Sequence, residues 1–425
     1  MTLESVIMMG SASIKYGFGA TQEVGFDMKE LGATRVMVVT DRNLAEKEPV
    51  KVTLKALEDE GLEIVLYSDT RIEPTDASLK EAIDFAMNGN FDGFVGVGGG
   101  SSMDTAKAAN LYFSYPADFL NYVNAPIGRG TPVPGPLKPL ICIPTTAGTG
   151  SETTGVAVFD LVEMHAKTGI SHRFLRPVMG IVDPNNTQTL PRMVASCTGF
   201  DVLVHALESF TAIPYNQRQA PDDPRLRPAY QGSNPISDIW AIKAIEMVSG
   251  NICRVFEDPT DAEARSQMIM AATFAGIGFG NAGVHLPHGM SYPVSGMVRS
   301  YVPEGYSPDH PIIPHGMAVI LTAPAVFRFT APANPERHLE AARLMGVDTT
   351  DAEKEDAGDI LADAIVSLMK KTGMPNGLAP VGFTTEDIDK LVEGTLPQYR
   401  VTQLSPRPFT PDDLKKLFLG SLTCW

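Results

Sequence analysis

Short apolar runs alternate with amphipathic ones along residues 1–187, and the alternation stops at about residue 188. TRVMVVT (34–40) is apolar and β-branched, which predicts a strand ending at Asp41; 44–60 has helical spacing. LEIVLYS (62–68) predicts a second strand and SLKEAIDFAMN (78–88) a second helix. FDGFVGVGGGSS (91–102) predicts a third strand running into glycines, with a helix from about Met103; PLICIPTT (139–146) predicts a further buried strand. Strands alternating with helices imply an α/β, Rossmann-like parallel sheet covered on both faces. In such sheets ligands gather at the C-terminal strand ends.

Beyond residue 188 the apolar positions take helical spacing at 190–211, 236–256, 260–279, 314–328, 336–345, 354–373, 385–394 and 411–420. The pattern predicts two domains: 1–187, an α/β nucleotide-binding domain, and 188–425, all-helical and metal-binding. One stretch interrupts the helices. PYNQRQAPDDPRLRPAYQGSNP (214–235) holds five prolines and no periodicity, and predicts a long loop. NAPIGRGTPVPGPLK (124–138) predicts a surface loop.

Composition narrows the function. The 425 residues are 44% hydrophobic and 20% charged, which suits globular domains with sizeable cores. A net charge of −16 argues against nucleic acid and anionic membrane as partners. No apolar run approaches the roughly 18 residues of a membrane span. MTLESVIMMG lacks a basic n-region and any Arg, so neither a signal nor a transit peptide is expected. The four cysteines are scattered without C-x-x-C spacing, as for free thiols in a reducing compartment.

The chemistry concentrates in TGFDVLVHALESF (198–210), where Asp201 and His205 stand four residues apart on one helix face. His288 (PHGMSYP) and His315 (PHGM) follow. One carboxylate and three imidazoles hold a divalent ion and leave a position open for substrate. His285 lies three residues from His288, so either fits as a ligand; His165, His172, His310 and His338 read as surface or structural. Three features sit at predicted strand ends. Gly98-Gly99-Gly100-Ser101 is either a phosphate-cradling loop or a tight turn. Thr145–Glu152 (TTAGTGSE) is a second cofactor-loop candidate, or a helix or turn cap. Asp41 either bonds a ribose 2′-hydroxyl, favouring NAD over NADP, or caps a helix.

With these residues in view the chain resembles the iron-containing alcohol dehydrogenases over nearly its whole length. The likeness rests on GGGSSMDTAK (98–107), PTTAGTGSE (144–152), GFDVLVHALE (199–208), HGMSYPVSG (288–296) and PHG (314–316). It implies a dehydroquinate synthase-like architecture and an NAD-dependent oxidoreductase. The metal it implies is iron(II), with zinc as the alternative. The implied ligands are Asp201, His205, His288 and His315; His285 matches no family ligand. The implied nucleotide contacts are Asp41, Gly98, Gly99, Ser101, Asp104, Thr145, Thr146, Thr149 and Lys167.

One departure stands out: many members carry a second histidine in HGMxHP, thought to relay the substrate proton, and this chain has Tyr292 there. Tyr292 therefore joins the expected catalytic residues. TTGVAVFD (153–160), RPAYQGSNPISDIWAI (227–242), FAGIGFGNAGVHLPHGMSYPVSG (274–296), PERHLE (335–340) and GTLPQ (394–398) bring the chain nearest to a transhydrogenase branch. Its members oxidise 4-hydroxybutyrate to succinic semialdehyde and reduce 2-oxoglutarate to 2-hydroxyglutarate through a retained NAD. The alternative is an ordinary dehydrogenase with exchangeable NAD. Acid substrates call for a cation, and Arg227 in the Pro-rich loop is the candidate. Small-molecule substrates, a homo-oligomer, and a bacterial cytoplasmic (or animal mitochondrial) location complete the expectations.

Overall fold

The computed structural model describes residues 2–164, 166–306 and 310–425, so His165 lies outside the described residues. The chain forms two compact units, Gly10–Thr189 and, together with the N-terminal residues to Met9, Leu190–Trp425.

The strands of the first unit are β1 (Ser13–Tyr16), β2 (Arg35–Val39), β3 (Glu63–Tyr67), β4 (Gly93–Gly98), β5 (Leu140–Pro144), β6 (Val156–Leu161), β7 (Ala166–Ser171) and β8 (Met179–Val182). Six of them pair in parallel in the order β1-β8-β5-β4-β2-β3. Alternate side chains serve opposite faces. Val36, Val38, Val95, Val97, Ile141 and Ile143 pack on one face with α1 (Val24–Glu30) and α2 (Glu48–Asp59). Met37, Val39, Phe94, Leu140 and Cys142 pack on the other with α3 (Asp76–Met87) and α4 (Gly100–Ser114). This double burial explains why the strands read as continuous apolar runs. β2 sits between β3 and β4, so the chain turns to opposite sides of the sheet after β2 and after β3. That switch point opens above the C-terminal ends of β2 and β4, where Asp41 and the Gly98 loop stand. β6 and β7 form a separate antiparallel hairpin.

The second unit is built on α5 (Arg192–Thr211), α6 (Pro235–Glu257), α7 (Ala262–Ala282), α8 (Leu286–Gly296) and α9 (His315–Ile320). They are followed by α10 (Ala323–Thr330), α11 (Pro335–Leu344), α12 (Ala357–Lys371), α13 (Ile388–Thr395), α14 (Tyr399–Thr402) and α15 (Pro411–Ser421). The single helix expected over 314–328 is two, α9 and α10. Pro324 has no N–H and its ring excludes the carbonyl of residue 320, so α10 restarts with the proline in its first turn. The loop over 214–235 is irregular apart from two 3-10 turns, and Pro214 and Ser233 bridge its ends. No single helix among the described residues is long and apolar enough to cross a membrane.

Candidate metal centre

Helical spacing aligns Asp201, His205 and Glu208 along one face of α5, all of them buried. His288 arrives from α8, and His315 is the first residue of α9. The three imidazoles converge on one carboxylate oxygen. Asp201 Oδ1 lies 3.5 Å from His288 Nε2, 3.7 Å from His205 Nδ1 and 3.8 Å from His315 Nε2. Ligand atoms of Asp201, His288 and His315 fall within 4.8 Å of one another. His205 approaches from the side, its ring stacked 3.9 Å from Phe279 and 4.4 Å from His288.

The donor set fits a divalent ion. Two ligands about 2.1 Å from a tetrahedral ion stand roughly 3.4 Å apart, close to the separations seen here. Asp201 Oδ1, His205 Nδ1 and His288 Nε2 are buried without a hydrogen-bond partner among the described residues. Such lone pairs are costly to bury unmet, and a shared cation would meet them together. The electrostatics agree in direction. Burial opposes the Asp201 carboxylate, yet His205, His315 and His288 outweigh it and hold the group well below the usual carboxylate range. Burial pushes His205 down to about 3, keeping it neutral as a ligand must be.

Sequence reasoning passed over Glu208, although it closes the GFDVLVHALE motif. It is fully buried and accepts the backbone N–H of His285 at 2.8 Å and of His288 at 3.2 Å. Its other oxygen pairs with His288 Nδ1, which leaves His288 Nε2 facing Asp201. Burial opposes the His288 imidazolium, but the Glu208 and Asp201 carboxylates prevail and raise its pKa, so a cation bound at Nε2 would displace that proton. His285 stands apart from the ligand group: its Nε2 meets Thr211 Oγ1 at 3.1 Å, and burial pushes it down to about 4.

The glycine after each late histidine has a steric reason. A Cβ on Gly316 would stand 1.9 Å from the Cys197 carbonyl oxygen, so α9 reaches α5 only with glycine there. A Cβ on Gly289 would stand 2.4 Å from Thr402 Cγ2, so α14 seats on α8 by the same device. Tyr292, one turn beyond His288, lies 6.1 Å from the His315 ring at 24°. Arg227 does not remain available as a substrate cation: its Nε and Nη2 donate to Glu4 at 3.0 and 3.3 Å. The paired N-terminal glutamate removes it from that role.

In the first unit, two loops meet at the switch point. Gly98 has φ +151°, and a Cβ there would stand 2.5 Å from Ser102 Oγ. Gly99 caps α4, a 15-residue helix whose N-terminal N–H groups and dipole suit a pyrophosphate. The Thr145 N–H donates to Gly98 O at 3.0 Å, and Gly100 packs against Thr149, bringing both predicted loops together. Thr145 is buried, while Thr146 and Thr149 are half-buried.

Other predicted contacts already have internal partners. Asp41 Oδ1 caps the following turn, accepting from Asn43 N at 2.9 Å and Leu44 N at 3.3 Å. Asp104 braces α4 to the β6–β7 hairpin, accepting from Ser151 Oγ at 2.6 Å and Val158 N at 2.9 Å. Ser101 Oγ accepts from Glu73 N at 3.2 Å. Lys167 Nζ lies 2.7 Å from Glu73 and 3.0 Å from Asp160; burial opposes its charge, but the two carboxylates raise its pKa.

The sequence pattern of iron-containing alcohol dehydrogenases matches residues 11–184, and that of the family's C-terminal domain matches 229–422. The mitochondrial hydroxyacid-oxoacid transhydrogenase of Bos taurus is 53% identical over 423 residues, covering 99% of this chain and 91% of the relative. Among solved structures, a 1,3-propanediol oxidoreductase superposes with a TM-score of 0.86 at 25% identity, covering 98% and 100% of the two chains. Sulfoacetaldehyde reductase from Bifidobacterium kashiwanohense, in complex with NAD+, superposes with a TM-score of 0.80 at 26% identity, covering 99% of each chain.

Proposed function

The chain belongs to the iron-containing alcohol dehydrogenase family, and on that premise we propose that it is a hydroxyacid–oxoacid transhydrogenase. In this reading hydride passes from a 4-hydroxybutyrate-type hydroxyacid to 2-oxoglutarate by way of a bound NAD, giving succinic semialdehyde and 2-hydroxyglutarate. The observation that carries it is the convergence of three imidazole nitrogens on one buried carboxylate oxygen. The 53% identity to the bovine relative supports the substrate class.

Asp201, His205, His288 and His315 would hold the metal, iron(II) before zinc. When bound, the ion supplies Lewis acidity that acidifies a substrate hydroxyl and polarises a substrate carbonyl. The chain's own residues do the rest. Glu208 fixes the His288 ring through Nδ1 and so directs its Nε2. Asp201 contributes one negative charge and tempers that of a divalent ion. Tyr292, in place of the family's second histidine, is proposed to act on the substrate proton beside His315. The Gly98–Ser101 and Thr145–Thr149 loops, with Asp41, Asp104 and Lys167, are proposed to hold NAD. Asp41 would disfavour a 2′-phosphate. A homo-oligomer acting on small molecules, with neither nucleic acid nor membrane as partner, goes with this reading, and the charge of −16 supports the latter part. The proposed compartment is the cytoplasm in a bacterium and the mitochondrion in an animal, as the bovine relative's name supports.

The test is formation of 2-hydroxyglutarate from 4-hydroxybutyrate and 2-oxoglutarate with no added NAD. Sustained turnover is expected. Turnover that begins only when NAD is added, with NADH accumulating, would instead indicate a dehydrogenase with exchangeable cofactor.

A further inference from the structure

Acid substrates need a cation near the metal ligands, and most arginines of the helical unit are committed elsewhere. Arg227, Arg254, Arg299, Arg328 and Arg337 each pair with a carboxylate. Arg192, Arg218, Arg265 and Arg407 donate instead to backbone carbonyls. Arg400 forms no salt bridge among the described residues, and its guanidinium lies beside two tyrosines. The group lies 4.8 Å from the centre of the Tyr230 ring and has Tyr292 as a further neighbour. Arg400 is half-buried, and a guanidinium so placed without a neutralising anion is costly unless it serves one. The chain as a whole is strongly acidic, so a cation left unpaired here runs against its general charge.

Its position is set by the metal helix. Arg400 belongs to α14, which rests on α8 through the clearance at Gly289, directly after His288. Tyr292 is a neighbour of Arg400 on α8, and its ring lies 6.1 Å from that of His315. Arg400 and His315 thus share Tyr292 as a neighbour.

We propose that Arg400 binds the distal carboxylate of the acid substrates, held in place by Tyr230 and Tyr292. The inference rests on the reading in the preceding subsection and adds the determinant of substrate class. In 4-hydroxybutyrate the carboxyl carbon is three bonds from the carbinol carbon. In 2-oxoglutarate the distal carboxyl carbon is likewise three bonds from the keto carbon. One fixed cation therefore registers donor and acceptor alike, so both half-reactions share one site. The planar fork of arginine matches a carboxylate in two hydrogen bonds.

The test compares 4-hydroxybutyrate with 1-butanol, which has the same carbinol but no carboxylate. Single-turnover reduction is followed by nicotinamide absorbance in metal- and cofactor-loaded protein, and 4-hydroxybutyrate affinity by calorimetry. Arg400→Met is expected to lower the 4-hydroxybutyrate to 1-butanol ratio of kcat/KM on the order of 100-fold, with a matching calorimetric loss. An unchanged ratio, with both substrates weakened alike, would overturn the proposal in favour of a structural role. Should the Met variant not fold, Arg400→Lys decides: loss of the fork lowers the ratio at least about 10-fold, and an unchanged ratio again overturns it. Wild-type protein that transfers hydride while the variants keep its selectivity contradicts only Arg400. Wild-type protein that binds 4-hydroxybutyrate through Arg400 yet yields no 2-hydroxyglutarate contradicts the transhydrogenase reading.

Discussion

Glu208 shows how a residue gains a role that its own letter does not reveal. Asp201, His205, His288 and His315 stand out in the sequence because their chemistry is written in residue type and spacing. Glu208 reads as one more polar position in an apolar helix, and its partners His285 and His288 are 77 and 80 residues away in the chain. Glu208→Gln keeps the shape and removes the charge; metal affinity is expected to fall roughly 10–100-fold. Metal retained after dialysis against graded chelator measures this, and unaltered retention would remove Glu208 from the account. His338 carries a different expectation. It is fully buried, with Nδ1 donating to Asn334 O at 2.8 Å and Nε2 meeting Thr330 Oγ1 at 2.9 Å. Burial lowers its pKa from 6.5 to about 4, so between those values the unfolded chain binds the proton more readily. Its stabilising contribution is full above about pH 6.5 and is lost as pH falls towards 4. Thermal melts of His338→Gln are expected to show a shallower stability slope across that window, and a slope equal to the parent's would contradict the assignment.

At the level of elements, β2, β4 and β5 were legible because both sheet faces are covered, giving unbroken apolar runs, whereas the four-residue strands β1 and β8 were too short to show a pattern. The β6–β7 hairpin was not, since its residues mix charged and apolar positions around the Lys167–Asp160 pair. α8 was also missed. Its sequence, LPHGMSYPVSG, holds two prolines and two glycines, which local propensity assigns to a loop. Tertiary contact overrides that preference, because Gly289 and Gly316 are the clearances that bring α8 to α14 and α9 to α5. The price of disturbing one is calculable in direction: Gly316→Ala forces the Cys197 carbonyl aside, displacing His315 from Asp201. A loss of about 1–3 kcal/mol or more in unfolding free energy is expected, along with weaker metal binding. Denaturant melts and metal analysis of the variant check both, and a fully stable, fully metallated Gly316→Ala would show that α9 does not depend on this contact.

For the molecule as a whole, the sequence revealed an α/β half followed by a helical one but not how finely the chain is divided. The N-terminal residues to Met9 cluster with the helical unit, where Glu4 occupies Arg227 and Met8 exchanges hydrogen bonds with Gln231. That pairing took the sequence's candidate cation out of play, because a partner more than 200 residues away leaves no local trace. Arg400 was hidden for a similar reason: its meaning lies in Tyr230 and Tyr292, which only folding brings to it. In the proposed reaction hydride moves between two acids without leaving the protein. Its most direct measurement uses 4-hydroxybutyrate deuterated at the carbinol carbon, with unlabelled 2-oxoglutarate and no added NAD. Deuterium is expected at C2 of the 2-hydroxyglutarate formed, and a pool of unlabelled NADH added as a trap is expected not to dilute it. Label lost to that pool, or no product until NAD is supplied, would contradict the account.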